Sequence, residues 1–316
     1  MGERVPKIQM KAAVLAAPQD VSKRPLKISL IPQPELKPGH VLIRVRACGI
    51  CRTDLHIVEG ELPPHRKGII PGHQIVGEIV DGSTTDLPPG TRVGVSWIGG
   101  VDGTCWYCQQ DLENLCDAPT FTGYSVDGGY AEYALARTDF AFPLPAALDD
   151  LQAAPLLCAG IIGFRSLRVA GVERGERVGL FGFGASAHLA IAVLQAWKCE
   201  VYVATRGASH RQLAASLGAA WVGSETERPP VKLDRAVTFA PSGDVVVAAL
   251  ASLRKGRGCD QRNPPRPHSG VRLRPPFVGR APDSKRCEHD PLRCPGFSPG
   301  CKRDQSSAQD HRLPAR

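Results

Sequence analysis

Through the first half of the chain, apolar residues alternate with polar ones in short runs. Residues 8–15, 26–31 and 41–47 carry the period-two pattern of strands, with Pro- and Gly-rich turns such as Pro38-Gly39 between them. Residues 75–80 and 92–95 continue it, and the Gly- and Tyr-rich stretch 121–136 predicts strand, turn and strand. The expected result is an antiparallel, barrel-like half whose Cys and His residues lie in loops. Residues 151–170 predict a helix capped by Asp149 or Asp150. After Arg177 the period switches between two and 3.6. Strands are predicted at 178–181, 201–204, 220–222 and 236–239, and helices at 185–197, 210–217 and 245–253.

A doubly wound sheet calls for another buried strand next, and the pattern supplies none. Residues 257–316 hold ten prolines, eleven arginines and no isoleucine, and no apolar run exceeds two residues. Such a composition buries too little surface to offset chain entropy, so a disordered tail is expected. With 316 residues the chain is too long for one ordinary core. The expected division is a β-rich domain at 1–150, a nucleotide-binding domain at 151–256 and an Arg/Pro-rich tail at 257–316.

Charge refines this picture. The formal balance is +8, but 13 Lys/Arg against 6 Asp/Glu fall after residue 256. The basic character is therefore the tail's, which argues against a nucleic-acid partner for the body of the chain. Residues 178–197 are uncharged and long enough to cross a bilayer, but Gly182 and Gly184 break the run and His188 and Gln195 interrupt it. A strand, a tight turn and a buried helix are expected instead, with no membrane partner. Residues 1–20 show no secretory signal, and eleven cysteines without one point to a reducing, cytoplasmic setting in which thiols bind metal.

Three stretches carry candidate chemistry. Cys51, Thr53, Asp54 and His56 place a soft metal ligand, a hydroxyl, a carboxylate and an imidazole within six residues. His73 follows the turn Pro71-Gly72, and Asp54 is a candidate partner for its second nitrogen. Asp102, Cys105, Cys108 and Cys116 have the spacing of a closed four-ligand zinc loop, with a redox pair or idle thiols as the alternatives. Cys158, on the predicted helix, is by itself a small apolar residue. Finally, Gly182-Phe183-Gly184-Ala185-Ser186-Ala187 matches the dinucleotide turn between a strand and a helix. Gly182 allows the tight turn, Gly184 admits a pyrophosphate and Ala187 lets helix and strand pack. The second strand ends in Thr205-Arg206, with Arg211 following and no acid adjacent, which favours NADP(H) over NAD(H).

In this order, the motifs resemble those of the zinc-dependent medium-chain alcohol dehydrogenases, over roughly residues 10–256. The resemblance implies an α/β protein: a GroES-like β-rich catalytic domain plus a Rossmann-type doubly wound parallel sheet, the latter incomplete. It implies a catalytic zinc on Cys51, His73 and Cys158, and a structural zinc on Asp102, Cys105, Cys108 and Cys116, where Asp102 replaces the usual Cys. Thr53 and His56 fall on the family's proton relay, Asp54 behind the zinc histidine and Arg52 on a cofactor-phosphate contact. Gln74 replaces the usual Glu beside the metal. The implied reaction passes hydride between a primary or secondary alcohol, or the aldehyde, and NAD(P). Beyond residue 256 the resemblance ends, which fits a reading-frame change or truncation near Arg257, with a functional basic tail as the competing explanation. An inactive zinc-binding fragment is the alternative function. Homo-oligomers are compatible with either.

Overall fold

The computed structural model of the protein describes residues 8–82, 84–255 and 259–261. Alternation in the first half becomes nine strands: β1 (Gln9–Leu15), β2 (Leu26–Pro32), β3 (His40–Gly49), β4 (Gln74–Asp81), β5 (Arg92–Val95), β6 (Ile98–Gly100), β7 (Thr120–Phe121), β8 (Tyr133–Arg137) and β9 (Phe142–Pro143). Five of them form one antiparallel sheet in the order β8-β3-β4-β5-β9, while β1-β2 and β6-β7 are separate pairs. Val41 and Ile43, Ile75 and Ile79, and Val93 and Val95 are the every-second residues that fill one core with Ala134 and Ala136. Each of the larger side chains contributes about 1.5–3 kcal/mol by leaving water.

One element departs from the expectation of loops around the Cys and His residues. Directly after β3, the segment Arg52–Glu59 is a helix, α1, with Cys51 as its N-cap and Gly60, in the left-handed region, as its C-cap. Asp54 sits at the third helical position and completes a capping box with Cys51. Ile57 and Val58 anchor the helix in a small core with Leu15 and Ile69.

Periodicity predicts one continuous helix over 151–170, and here the structure differs. Helix α2 (Asp150–Pro155) gives way to a π-turn at Leu156–Gly160 before α3 (Ile161–Val169) resumes the α-helix. Asp149 caps α2, with its carboxylate accepting from the Gln152 N–H at 2.7 Å. Cys158 lies inside the π-turn.

The remaining strands make the parallel sheet: β10 (Arg177–Phe181), β11 (Glu200–Ala204), β12 (Trp221–Gly223), β13 (Arg235–Thr238) and β14 (Cys259–Gln261), in the order β12-β11-β10-β13-β14. Helices α4 (Ala185–Ala196), α5 (Ala208–Ser216) and α6 (Gly243–Ser252) connect them. Both faces are covered. Val178, Leu180, Val201 and Val203 pack against α4, and Phe181, Tyr202, Ala204 and Ala236 against α6. The run at 178–197 is thus a strand, a turn and a buried helix, and no described helix is long and apolar enough to cross a membrane.

Composition predicts no strand after residue 256, yet β14 pairs parallel with Ala236, Val237 and Thr238. A three-residue edge strand needs only backbone hydrogen bonds, which composition does not report. The rest of the expected disordered tail lies outside the described residues. All described residues fall within the contact unit Met1–Leu273.

Candidate metal centre and nucleotide cleft

Strand β3 delivers Cys51 to the start of α1, and the capping box fixes it there. The Cys51 N–H donates to Asp54 Oδ2 at 2.8 Å, while its sulfur accepts from the Thr53 N–H at 3.3 Å. The other Asp54 oxygen, Oδ1, accepts from the Gly72 N–H at 3.2 Å and faces His73 Nδ1 at 3.1 Å. Gly72 has φ +97°, and a Cβ there would strike Tyr130 and Cys48, so only glycine closes this turn. With Nδ1 occupied by Asp54, His73 presents Nε2 to Cys51 Sγ at 3.2 Å. His73 is fully buried and Asp54 nearly so. From the π-turn, Cys158 brings its sulfur to the same point, and the three ligand atoms lie within 4.8 Å of one another. Adjacent sulfur and nitrogen ligands of a tetrahedral zinc are separated by about 3.5–3.8 Å, so these residues fit the ion's size and its preference for S and N donors.

The protein's own groups polarise each other here. The Cys158 thiol is the chief influence holding Cys51 down at about 4; burial opposes this, and His73 and the Thr53 hydroxyl add to it. Burial would lower His73, but Asp54 and Cys51 outweigh it and raise the imidazole to about 9. Cys158 is pushed far up, first by Cys51 and then by burial.

A second cluster forms in the loop between β6 and β7. Asp102, Cys105, Cys108 and Cys116 bring four ligand atoms within 4.8 Å. Asp102 Oδ1 accepts from the N–H groups of Thr104 and Cys105 at 2.7 and 2.8 Å, which holds its carboxyl well below the usual carboxylate range. Its Oδ2 lies 3.3 Å from Cys116 Sγ, and the Cys105 and Cys108 sulfurs are 3.5 Å apart. One carboxylate oxygen is therefore spent on shaping the turn and the other is aimed among the thiols, a donor set that fits zinc.

At the parallel sheet, strand order reverses on either side of β10, the usual ligand-binding crevice of such sheets. Gly182 ends β10 at φ +89°, where a Cβ would meet the Ala240 backbone. A Cβ on Gly184 would meet nothing within 4 Å, which leaves the open approach a pyrophosphate needs, and Ala187 is fully buried between helix and sheet. These residues fit a dinucleotide. The buried Thr205 hydroxyl accepts from the Phe183 N–H at 3.3 Å, so this side chain braces the glycine turn. Arg211 donates to the Thr205 and Arg206 carbonyls. Arg206 is exposed and pairs with Glu225 at 3.2 Å. Although no acid follows Arg206 in sequence, the fold brings one from the end of β12.

Of the remaining candidates, Arg52 opens α1 with its side chain exposed. His56 Nδ1 contacts Glu61 at 2.6 Å, and Gln74 is buried. No sequence motif marks Trp97, which meets the His73 ring edge-on at 5.2 Å and stacks on Phe121 and Tyr124 at 4.9 and 5.9 Å. Glu61 and Glu225 are equally unmarked. A lone Trp after a strand, or a Glu in a turn, carries no spacing signal.

A nucleotide-type parallel sheet joined to a β-rich half with a Cys-His-Cys centre defines a metal-dependent dehydrogenase. Comparison with known proteins agrees. Residues 37–146 match the alcohol dehydrogenase GroES-like domain. A Mycobacterium tuberculosis protein described as a probable alcohol dehydrogenase is 45% identical over 254 residues, 78% of this chain and 73% of that protein. An alcohol dehydrogenase of Geobacillus stearothermophilus is 36% identical over 261 residues, 79% of this chain and 76% of its own length. The solved cobalt- and zinc-bound thermostable alcohol dehydrogenase of Pyrobaculum aerophilum superposes with a TM-score of 0.73 at 25% identity, covering 84% of this chain and 79% of that one. The chain belongs to the zinc-dependent medium-chain alcohol dehydrogenase family.

Proposed function

We propose that the chain oxidises a primary or secondary alcohol, or reduces the corresponding aldehyde, using NADP(H) in preference to NAD(H). The observation that carries this reading is the meeting of Cys51, His73 and Cys158, remote in sequence, within 4.8 Å. Zinc held by these three residues would supply Lewis acidity toward an alcohol oxygen. Asp54 fixes the His73 tautomer. The Thr53 hydroxyl, beside Cys51, relays the substrate proton by accepting it while giving up its own, and His56 leads that proton toward solvent. The wall of Trp97, Phe121 and Tyr124 gives the substrate an apolar side and excludes water. Gly182, Gly184 and Ala187 seat the pyrophosphate at the start of α4, Arg52 contacts cofactor phosphate, and Thr205, Arg206 and Arg211 shape the ribose end. Asp102, Cys105, Cys108 and Cys116 would hold a structural zinc.

Residues 1–150 form the catalytic domain and 151–256 the nucleotide-binding domain. A reducing cytoplasm is in keeping with the cysteines from Cys48 to Cys199, which are all free. The test is alcohol-dependent reduction of NADP⁺ and NAD⁺ by the purified chain, together with C51S. Turnover with a preference for NADP⁺ that C51S abolishes is expected, and turnover undiminished by C51S would overturn the assignment.

A further inference from the structure

We infer that Glu225 is a specificity-determining residue that limits the preference for the 2′-phosphorylated cofactor. The inference rests on the cofactor site proposed above. Strands β11 and β12 are parallel neighbours, with Ala204 opposite Gly223, so both deliver their following residues to the same crevice. The Thr205 N–H donates to the Gly223 carbonyl at 3.0 Å, which ties the two strand ends together. Beyond them the β12 turn is held by Glu227, whose carboxylate accepts from the Ser224 N–H at 2.9 Å. That turn places Glu225 across from Arg206, with Arg206 Nε 3.2 Å from Glu225 Oε2.

An acid at the end of the second strand of such a sheet ordinarily reads the ribose 2′-hydroxyl and repels a 2′-phosphate. Here that position is Arg206, and the carboxylate arrives instead from the next strand. Arg206 is the exposed partner, at 80%, against 35% for Glu225, so the arginine is free to swing while the acid stays with its turn. A 2′-phosphate must then compete with Glu225 for the guanidinium and lie near its negative charge. A ribose carrying only hydroxyls meets neither cost. The pair thus makes the enzyme tolerant of both cofactors instead of strict for one.

Binding of 2′,5′-ADP and of 5′-ADP, measured by calorimetry on the zinc-loaded wild-type chain and on Glu225→Gln, tests this without requiring turnover. E225Q should tighten 2′,5′-ADP about fivefold and leave 5′-ADP unchanged; loss of one solvent-screened charge sets the scale. The gain should shrink as salt is raised. Unchanged 5′-ADP binding also shows that the variant is folded. A ratio of the two affinities that moves less than about twofold would overturn the inference while leaving the cofactor site standing. Failure of the wild-type chain to bind either nucleotide would overturn both.

Discussion

At the scale of single residues, Asp54 has the most to do. Its two oxygens receive the backbone of Cys51, the backbone of Gly72 and the His73 ring, so one carboxylate sets two ligands from different elements. Asp54→Asn keeps the shape but gives up the charge that fixes the His73 tautomer. Zinc affinity at this centre should fall about 10- to 100-fold, measured by competition with a chromophoric chelator. The same geometry fixes a pH dependence. With His73 raised to about 9, Cys158 raised and Cys51 held near 4, a cation must displace one proton from His73 and one from Cys158. Between about pH 6 and 8, affinity should rise with pH by about two log units per unit. A C105S/C108S chain, keeping only this centre, is the sample for that measurement, and a flat profile would contradict it. Residues of this kind were legible in the sequence because a thiol or imidazole is conspicuous wherever it stands. Trp97 and Glu225 were not, because their roles exist only through neighbours distant in sequence.

At the scale of elements, strands and the nucleotide turn were legible because alternation and glycine placement are local. Two features were not. Helix α1 is short, and its signals are a capping Asp54 and a terminal Gly60, with little periodicity to see. The π-turn at Leu156–Gly160 follows Pro155, and its ladder shift leaves no mark on an apolar run. Its position relative to the sheet depends on Asp150, which receives Arg92 Nε from β5 and Arg46 Nε from β3, each at 2.7 Å. Burial of Asp150 raises its carboxyl, but the hydrogen bonds and charges of Arg92 and Arg46 outweigh this and leave it lowered. A depressed carboxyl contributes stability that is present above its unfolded value and lost as pH falls through the folded one. Asp150→Asn should therefore cost about 1 kcal/mol at neutral pH, after allowance for solvent screening, and the cost should vanish in strong acid. Urea unfolding at the two pH values measures it. In the metal loop, Asp102→Cys should slow zinc loss to a chelator relative to the wild-type chain. It replaces a carboxylate of which one oxygen is already committed to the turn with a full thiolate donor.

At the scale of the whole molecule, the two halves of the chemistry depend on different lengths of chain. Every proposed zinc ligand lies between Cys51 and Cys158; the sheet that leads into Cys51 and out of His73 closes its core within the first 150 residues, while the π-turn that carries Cys158 packs on that sheet and on α4 as well. The nucleotide crevice needs the parallel sheet, which begins at Arg177 and reaches its last described strand, β14, only at Cys259–Gln261. Matches to the M. tuberculosis relative extend over 73% of that protein, so part of its length has no counterpart in the alignment. Metal content and turnover are therefore separable observables. The purified chain should carry two zinc ions by atomic emission, whatever the residues after β14 contribute. Nucleotide binding and hydride transfer should depend on the sheet edge at β13, which β14 covers with three residues. A chain ending at Lys255 should keep both zinc ions while its affinity for 5′-ADP and its melting temperature fall. Two zinc ions with alcohol-dependent reduction of nicotinamide in the full chain would establish a working dehydrogenase. Two zinc ions with no turnover under any alcohol or cofactor would instead identify a zinc-binding fragment, and would locate the defect in the sheet and not in the metal centre.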